Sequence, residues 1–186
     1  MFKAMIKNAP MFIKFWQSNV KYGQHIRTYN GSPVLKIEKG CIVTIGKQVS
    51  IQNHLNTGWY ARTTIVVRKD GTLNIGDYTG LNSCMIYCSH SITIGKHVDI
   101  GGGTRIYDTN FHDINWEKRR AGETGKSAPV VIGDDVFIGI GCIIGKGVNI
   151  GNRSVIAAGS VVVKDIPEDC IAGGNPCKVI KQIVNA

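Results

Sequence analysis

Residues 132–167 read I-G-D-D-V-F-I-G-I-G-C-I-I-G-K-G-V-N-I-G-N-R-S-V-I-A-A-G-S-V-V-V-K-D-I-P. Ile132, Ile138, Ile144, Ile150, Ile156 and Val162 stand six apart without a break, and a small residue follows the first five: Gly133, Gly139, Gly145, Gly151 and Ala157. Four places after each anchor come Val136, Cys142, Val148, Ser154, Ser160 and Ile166, small or β-branched apart from the thiol. A period of six fits neither the 3.6 of an α-helix nor a simple alternation of two. Three hexads make a coil of about 18 residues with three short strands, and such coils stack as parallel strands about 4.8 Å apart. The aliphatic anchor is expected to fill a triangular interior. The glycine after it is expected at the bend, where the chain often needs a costly positive φ. The same hexad recurs upstream at Ile94, Ile100, Ile106, at Ile75, Leu81, Tyr87, and at Ile45, Ile51, with a further anchor near Val67.

The composition agrees. The 186 residues hold 23 Gly but 5 Pro, and 26 Ile and 17 Val against 4 Leu, which suits pleated strands and argues against a helix bundle. Lys and Arg outnumber Asp and Glu by 22 to 13, giving +9. No basic stripe with interleaved aromatics appears, so a phosphate-rich small molecule is a better match for that charge than nucleic acid. The six cysteines form no C-x-x-C pair, the run Met11-Phe12-Ile13 is broken by Lys14 without a cleavage site, and no stretch approaches a membrane span. The expectation is a cytoplasmic protein with free thiols.

Residues 35–180 resemble the hexapeptide-repeat acyltransferases, most strongly over 132–167. Within that family the pattern is similar to the maltose, galactoside, xenobiotic and capsular-polysaccharide acetyltransferases. The resemblance implies an all-β fold, a left-handed parallel β-helix. On this reading 1–30 form an N-terminal helical or irregular segment, with a short helix interrupted at Pro10. Residues 31–167 form the β-helix with a loop at 107–129, and 168–186 form a tail packing on it. Residues 1–20, with Lys3, Lys7 and Lys14 beside Phe and Trp, either pack on the helix end or a neighbouring subunit or make a weak membrane-surface contact.

Breaks in a repeat carry function more often than the repeat does. Between Ile106 and Ile132 lie 26 positions where the pattern needs 6, so about 20 residues are extruded, as Y-D-T-N-F-H-D-I-N-W-E-K-R-R-A-G-E-T-G-K-S-A-P. A second break, H-L-N-T-G-W-Y-A-R, carries His54 and Trp59. Of the other histidines, His25 stands outside the repeat, His90 precedes a coil boundary and His97 lies at an outward turn. His112 alone starts the long excursion.

D-T-N-F-H-D-I is similar to the family's catalytic-histidine loop, and the resemblance makes His112 the general base. It would deprotonate an acceptor hydroxyl that attacks the carbonyl of acetyl-CoA directly. Asp108 or Asp113 would orient it. Asn82 and Trp116 would face the acceptor. Coenzyme A would lie along Phe137, Gly139, Ala158 and Gly159, with Lys164, Lys178 and Lys181 for its phosphates. The chain departs from the family at Asp113, where proline is usual, at Val163 in place of threonine, and at Phe137 in place of tryptophan. The implied protein is an acetyl-CoA-dependent O-acetyltransferase acting on a sugar hydroxyl in bacterial surface polysaccharide synthesis. It would be a homotrimer with active sites between subunits, binding no metal and no nucleic acid. The rival readings are an N-acetyltransferase of a nucleotide-linked amino sugar, a xenobiotic acetyltransferase and a non-catalytic assembly module. A three-histidine zinc site is disfavoured because the H-x-x-x-x-H spacing is absent.

Overall fold

A computed structural model describes residues 2–53 and 61–183, with side chains from residue 9 onward; His54 and Trp59 lie outside the described residues. Among the described residues twenty short strands follow one another around three faces, so that each of β1 to β15 pairs with the third strand after it, and β17 pairs with β19. The first sheet holds β1 (Lys21–Tyr22), β4 (Ile42–Ile45), β7 (Thr72–Ile75), β10 (Ser91–Ile94), β13 (Val130–Ile132) and β16 (Asn149–Ile150). The second holds β2 (Arg27–Tyr29), β5 (Ser50–Gln52), β8 (Gly80–Asn82), β11 (Asp99–Ile100), β14 (Phe137–Ile138), β17 (Val155–Ile156), β19 (Cys170–Gly173) and β20 (Lys178–Gln182). The third holds β3 (Val34–Ile37), β6 (Thr64–Val67), β9 (Met85–Cys88), β12 (Arg105–Tyr107), β15 (Ile143–Ile144) and β18 (Val161–Val162). All pairings are parallel except β19 with β20. This is a parallel β-helix of triangular section.

The anchors stack as the hexads require. Ile94, Ile132 and Ile150 form one ladder, Ile100, Ile138 and Ile156 a second, and Ile106, Ile144 and Val162 a third. All nine are buried. From Ile132 to Ile150 a coil takes 18 residues. In the lower coils strands such as β7 and β10 run to four residues and bury two each, Leu73 with Ile75 and Ile92 with Ile94.

Two expectations about the hexads need correction. Tyr87 is not an inward anchor: Ile86 pairs with Ile106 and is buried, and Tyr87 lies on the outer face. The corner from Leu81 to Ile86 is one residue shorter than that from Ile100 to Ile106, which shifts the register by one. The glycine after each anchor also has a different reason from the one expected. At the corners between the first and second sheets, the positive φ falls two residues later, at His25, Gln48, Tyr78, His97, Asp135, Arg153 and Asp169. Gly46 itself needs no positive φ; a Cβ there would stand 2.5 Å from the Asp77 amide nitrogen of the next coil. Close stacking, not bending, excludes a side chain.

His25 thus belongs to the first coil, which begins at Lys21. The N-terminal segment is one helix, α1 (Phe2–Gln17), with Pro10 inside it rather than interrupting it. Its inner side buries Met11 and Phe15 at the end of the β-helix, and Phe12 and Phe15 both pack on Tyr22 at 5.5 Å. A membrane-surface contact would therefore be left with the outer side, where Ile13 and Trp16 are exposed. Among the described residues no helix is long and apolar enough to cross a membrane.

Candidate active site

The excursion after β12 is a pinned arm. Its outgoing and returning limbs pair antiparallel at Thr109 with Ser127 and at His112 with Thr124. At its base the buried Asp108 carboxylate accepts the amides of Ser89, His90 and Ser91, each at 2.7 Å, while its carbonyl accepts Ala128 N–H at 2.9 Å. One residue therefore ties the arm's start to the coil below and to its own end. Three residues on, Phe111 lays its ring over the outer face of the third sheet, 4.8 Å from Tyr87 and 5.6 Å from Tyr107. Phe111 has φ 62°, a left-handed conformation that costs a non-glycine residue about 1–2 kcal/mol. Ring packing holds it there and aims the next residue.

That residue, His112, is exposed, and its amide donates to Asn110 O at 2.7 Å. Gly125 passes behind it so closely that a Cβ would collide with the His112 carbonyl. Neither suggested carboxylate orients the imidazole: Asp108 is committed to three amides, and Asp113 Oδ1 accepts the Asn115 amide. Among the described residues no side chain hydrogen-bonds the His112 ring. Beyond it, α2 (Trp116–Arg120) is capped by Asn115 Oδ1, which accepts the amides of Glu117 and Lys118. Trp116 is exposed, with the Arg120 guanidinium 4.8 Å from its ring centre.

The remaining site residues fall on other edges. Asn82, Gly139, Ala158 and Gly159 share the corner between the second and third sheets, where Asn82 Nδ2 donates to Ile100 O at 3.0 Å. A Cβ on Gly139 would lie 2.6 Å from the Ala158 nitrogen, so the coils touch there; a Cβ on Gly159 would meet nothing. Phe137 is half exposed on the outer face of the second sheet, in the row Asp99, Phe137, Val155, Ile171, Lys181. Strand β20 carries a bulge at Ile180, which places Lys178 opposite Gly173 and Lys181 opposite Ile171. Both lysines thereby take outward register positions, although they stand an odd three positions apart. Lys164 stands on the corner between the third and first sheets, the one from which the His112 arm leaves. Within one chain, His112 and the Asn82–Gly159 edge are thus on different corners.

All six cysteines are free. Burial raises the Cys84 thiol from 9.0 to about 12, and burial with the neighbouring Asp108 carboxylate does the same for Cys88. Neither is a thiolate near neutrality, which leaves them as packing. No group of three or more His, Cys, Asp or Glu among the described residues is arranged to hold a metal ion.

The decisive match is to the hexads themselves. Residues 129–164 match the bacterial transferase hexapeptide family, six repeats. The chain is 36% identical over 130 residues to the galactoside O-acetyltransferase of Escherichia coli, covering 70% of this chain and 54% of that protein. It is 40% identical, with a TM-score of 0.58, to a hexapeptide-repeat acetyltransferase of Vibrio cholerae complexed with acetyl coenzyme A, over 61% of each chain. A maltose O-acetyltransferase of Clostridium difficile gives 41% and 0.56, over 61% of this chain and 60% of that one. The chain spans about half the length of the curated relatives it matches.

Sequence reasoning missed Asp108 as the staple of the arm, and missed Phe111 and Gly125 altogether. The positive φ at Phe111 and the contacts of Asp108 have no local signature. The glycine in T-G-K was the one available sign of a close approach.

Proposed function

We propose that this chain transfers the acetyl group of acetyl-CoA to a hydroxyl of a sugar, with His112 as general base. The observation that supports this best is His112 itself, an exposed imidazole held on a pinned arm of a hexapeptide β-helix. An imidazole ionises near neutrality and can both take and return a proton at physiological pH. On this reading His112 removes the acceptor's hydroxyl proton as that oxygen bonds to the acetyl carbon. The carbon–sulfur bond then breaks, and His112 passes the proton to the coenzyme A sulfur. No acyl-enzyme forms, in keeping with thiols raised to about 12.

The Gly139–Ala158–Gly159 corner fits a pantetheine chain at Ala158 and Gly159, which are exposed with open space beside Gly159, while Gly139 is buried beneath them and lets the coils stack. Lys178 and Lys181, on one outer face, suit the coenzyme's phosphates, and Phe137 adds an apolar surface on the same sheet. Lys164 belongs to the His112 corner, so it would reach the same coenzyme from another subunit. Asn82 and Trp116 would flank the acceptor. That division supports a homotrimer in which the His112 corner of one subunit meets the Asn82–Gly159 corner of its neighbour. The coil's left hand, a cytoplasmic location and an acceptor from surface polysaccharide synthesis complete the proposal.

The test is acetyl transfer from acetyl-CoA, corrected for hydrolysis, to a panel of sugars, amino sugars and nucleotide sugars. His112→Ala is expected to lower kcat about 10²–10⁴-fold. Unchanged transfer in that variant overturns the assignment of the base. Faster transfer to amines than to hydroxyls overturns O-acetylation.

A further inference from the structure

The outer face of the third sheet carries a second feature that the acetyl-transfer chemistry does not use. A recess of about 200 Å³ lies at the edge of that sheet, lined among others by Arg62, Thr64, Ser83, Met85, Gly103 and Arg105. It sits where the Asn82–Ser83–Cys84 corner is one residue short, next to the proposed acceptor residue Asn82. Three observations give it a sign. Arg62 and Arg105 both line it, and among the described residues neither is ion-paired. Arg62 is held in place by the carbonyls of Ser32 and Pro33, which fix its plane without neutralising it. Ser83 is 2% exposed, and its Oγ has no hydrogen-bond partner. A buried hydroxyl without a partner is uncommon and costly, and the two guanidiniums, both exposed, bring two positive charges to one cavity.

The neighbouring segment does not supply the missing charge. Residues 54–60 read H-L-N-T-G-W-Y and contain no carboxylate. Sheet neighbours of Arg105 are Met85 and Ile143, both apolar. An anionic oxygen cluster would match the two arginines directly, since planar guanidinium donors fit carboxylate or phosphate, and a rotation of the Ser83 side chain toward the recess would give its buried hydroxyl an acceptor.

We propose that this recess binds an anionic substituent of the acceptor, so that the chain prefers an acidic or phosphorylated sugar to a neutral one. The inference rests on the acetyl-transfer reading for its word "acceptor", while the anion site itself stands on Arg62, Ser83 and Arg105. The test is calorimetric titration of the full chain with methyl glucuronide, glucose 1-phosphate and methyl glucoside, with acetyl transfer to each measured in parallel. At least one anionic sugar is expected to bind about tenfold or more tightly than methyl glucoside, with the gap shrinking as salt rises. The two anionic probes separate a carboxylate site from a phosphate site. Arg105→Gln is expected to close the gap and Arg105→Lys to retain part of it, with thermal unfolding as the check that both variants fold. Equal binding of all three sugars overturns the proposal, as does an Arg105→Gln variant that weakens all three alike. His112→Ala keeps the anion preference in titration, so a failure of the assigned base reads differently from a failure of this site.

Discussion

Burying a carboxylate is costly unless its oxygens find donors, and Asp108 finds three amides in the coil beneath it. It thereby replaces, at one point, the strand ladder that the 107–129 excursion interrupts. Asp108→Ala would leave the part-buried amides of Ser89, His90 and Ser91 without their acceptor, at about 1–3 kcal/mol for each group that water does not reach. The expected result is a loss of about 3 kcal/mol or more in urea unfolding. Asp108→Asn keeps one carbonyl oxygen and should lose less. In that milder variant kcat should fall while the KM for acetyl-CoA holds, because the proposed coenzyme edge lies on another corner. A KM rise without a kcat change would show that the arm does not depend on this staple.

Each corner that leads from a first-sheet strand to the second sheet solves two problems with two residues. The position after the anchor must be small because the next coil touches it, and the position three after the anchor adopts a left-handed turn. Gly46 and Gln48 allow the two to be separated, since they share a corner and Gln48 is exposed with φ 54°. Gly46→Ala should destabilise by about 2 kcal/mol through collision with the coil at Asp77. Gln48→Gly should gain about 0.5 kcal/mol, the relief of the left-handed conformation exceeding the added freedom of the unfolded chain. Urea midpoints with unchanged slopes would measure both. The hexads of 132–167 were legible because every corner there has one length, and the register at Tyr87 was not, because a single missing residue at 82–84 leaves no mark on composition. His112 stood out as a polar excursion in an apolar repeat. Its supports did not, since Asp108 acts on residues 17 to 19 positions away, and the alignment of Lys178 with Lys181 depends on a bulge.

For the whole molecule, the separation of His112 from the Asn82–Gly159 corner gives a prediction that needs no knowledge of the acceptor. His112→Ala and Ala158→Trp should each be inactive alone. Denatured together in equal amounts and refolded, they should recover about a quarter of wild-type activity, since each intersubunit pocket draws its two corners independently. No recovery would place the whole site within one chain. The cap formed by α1 bears on assembly in another way. A bare coil end offers strand edges from three sheets at once, a template on which a second molecule could continue the ladder. Met11 and Phe15 cover the interior at that end, and Lys14 Nζ donates to the Leu35 carbonyl on the edge strand β3, 3.5 Å away. Side-by-side association stays open while lengthwise growth is closed, so the amphipathic helix that begins the described chain separates a finite oligomer from a filament.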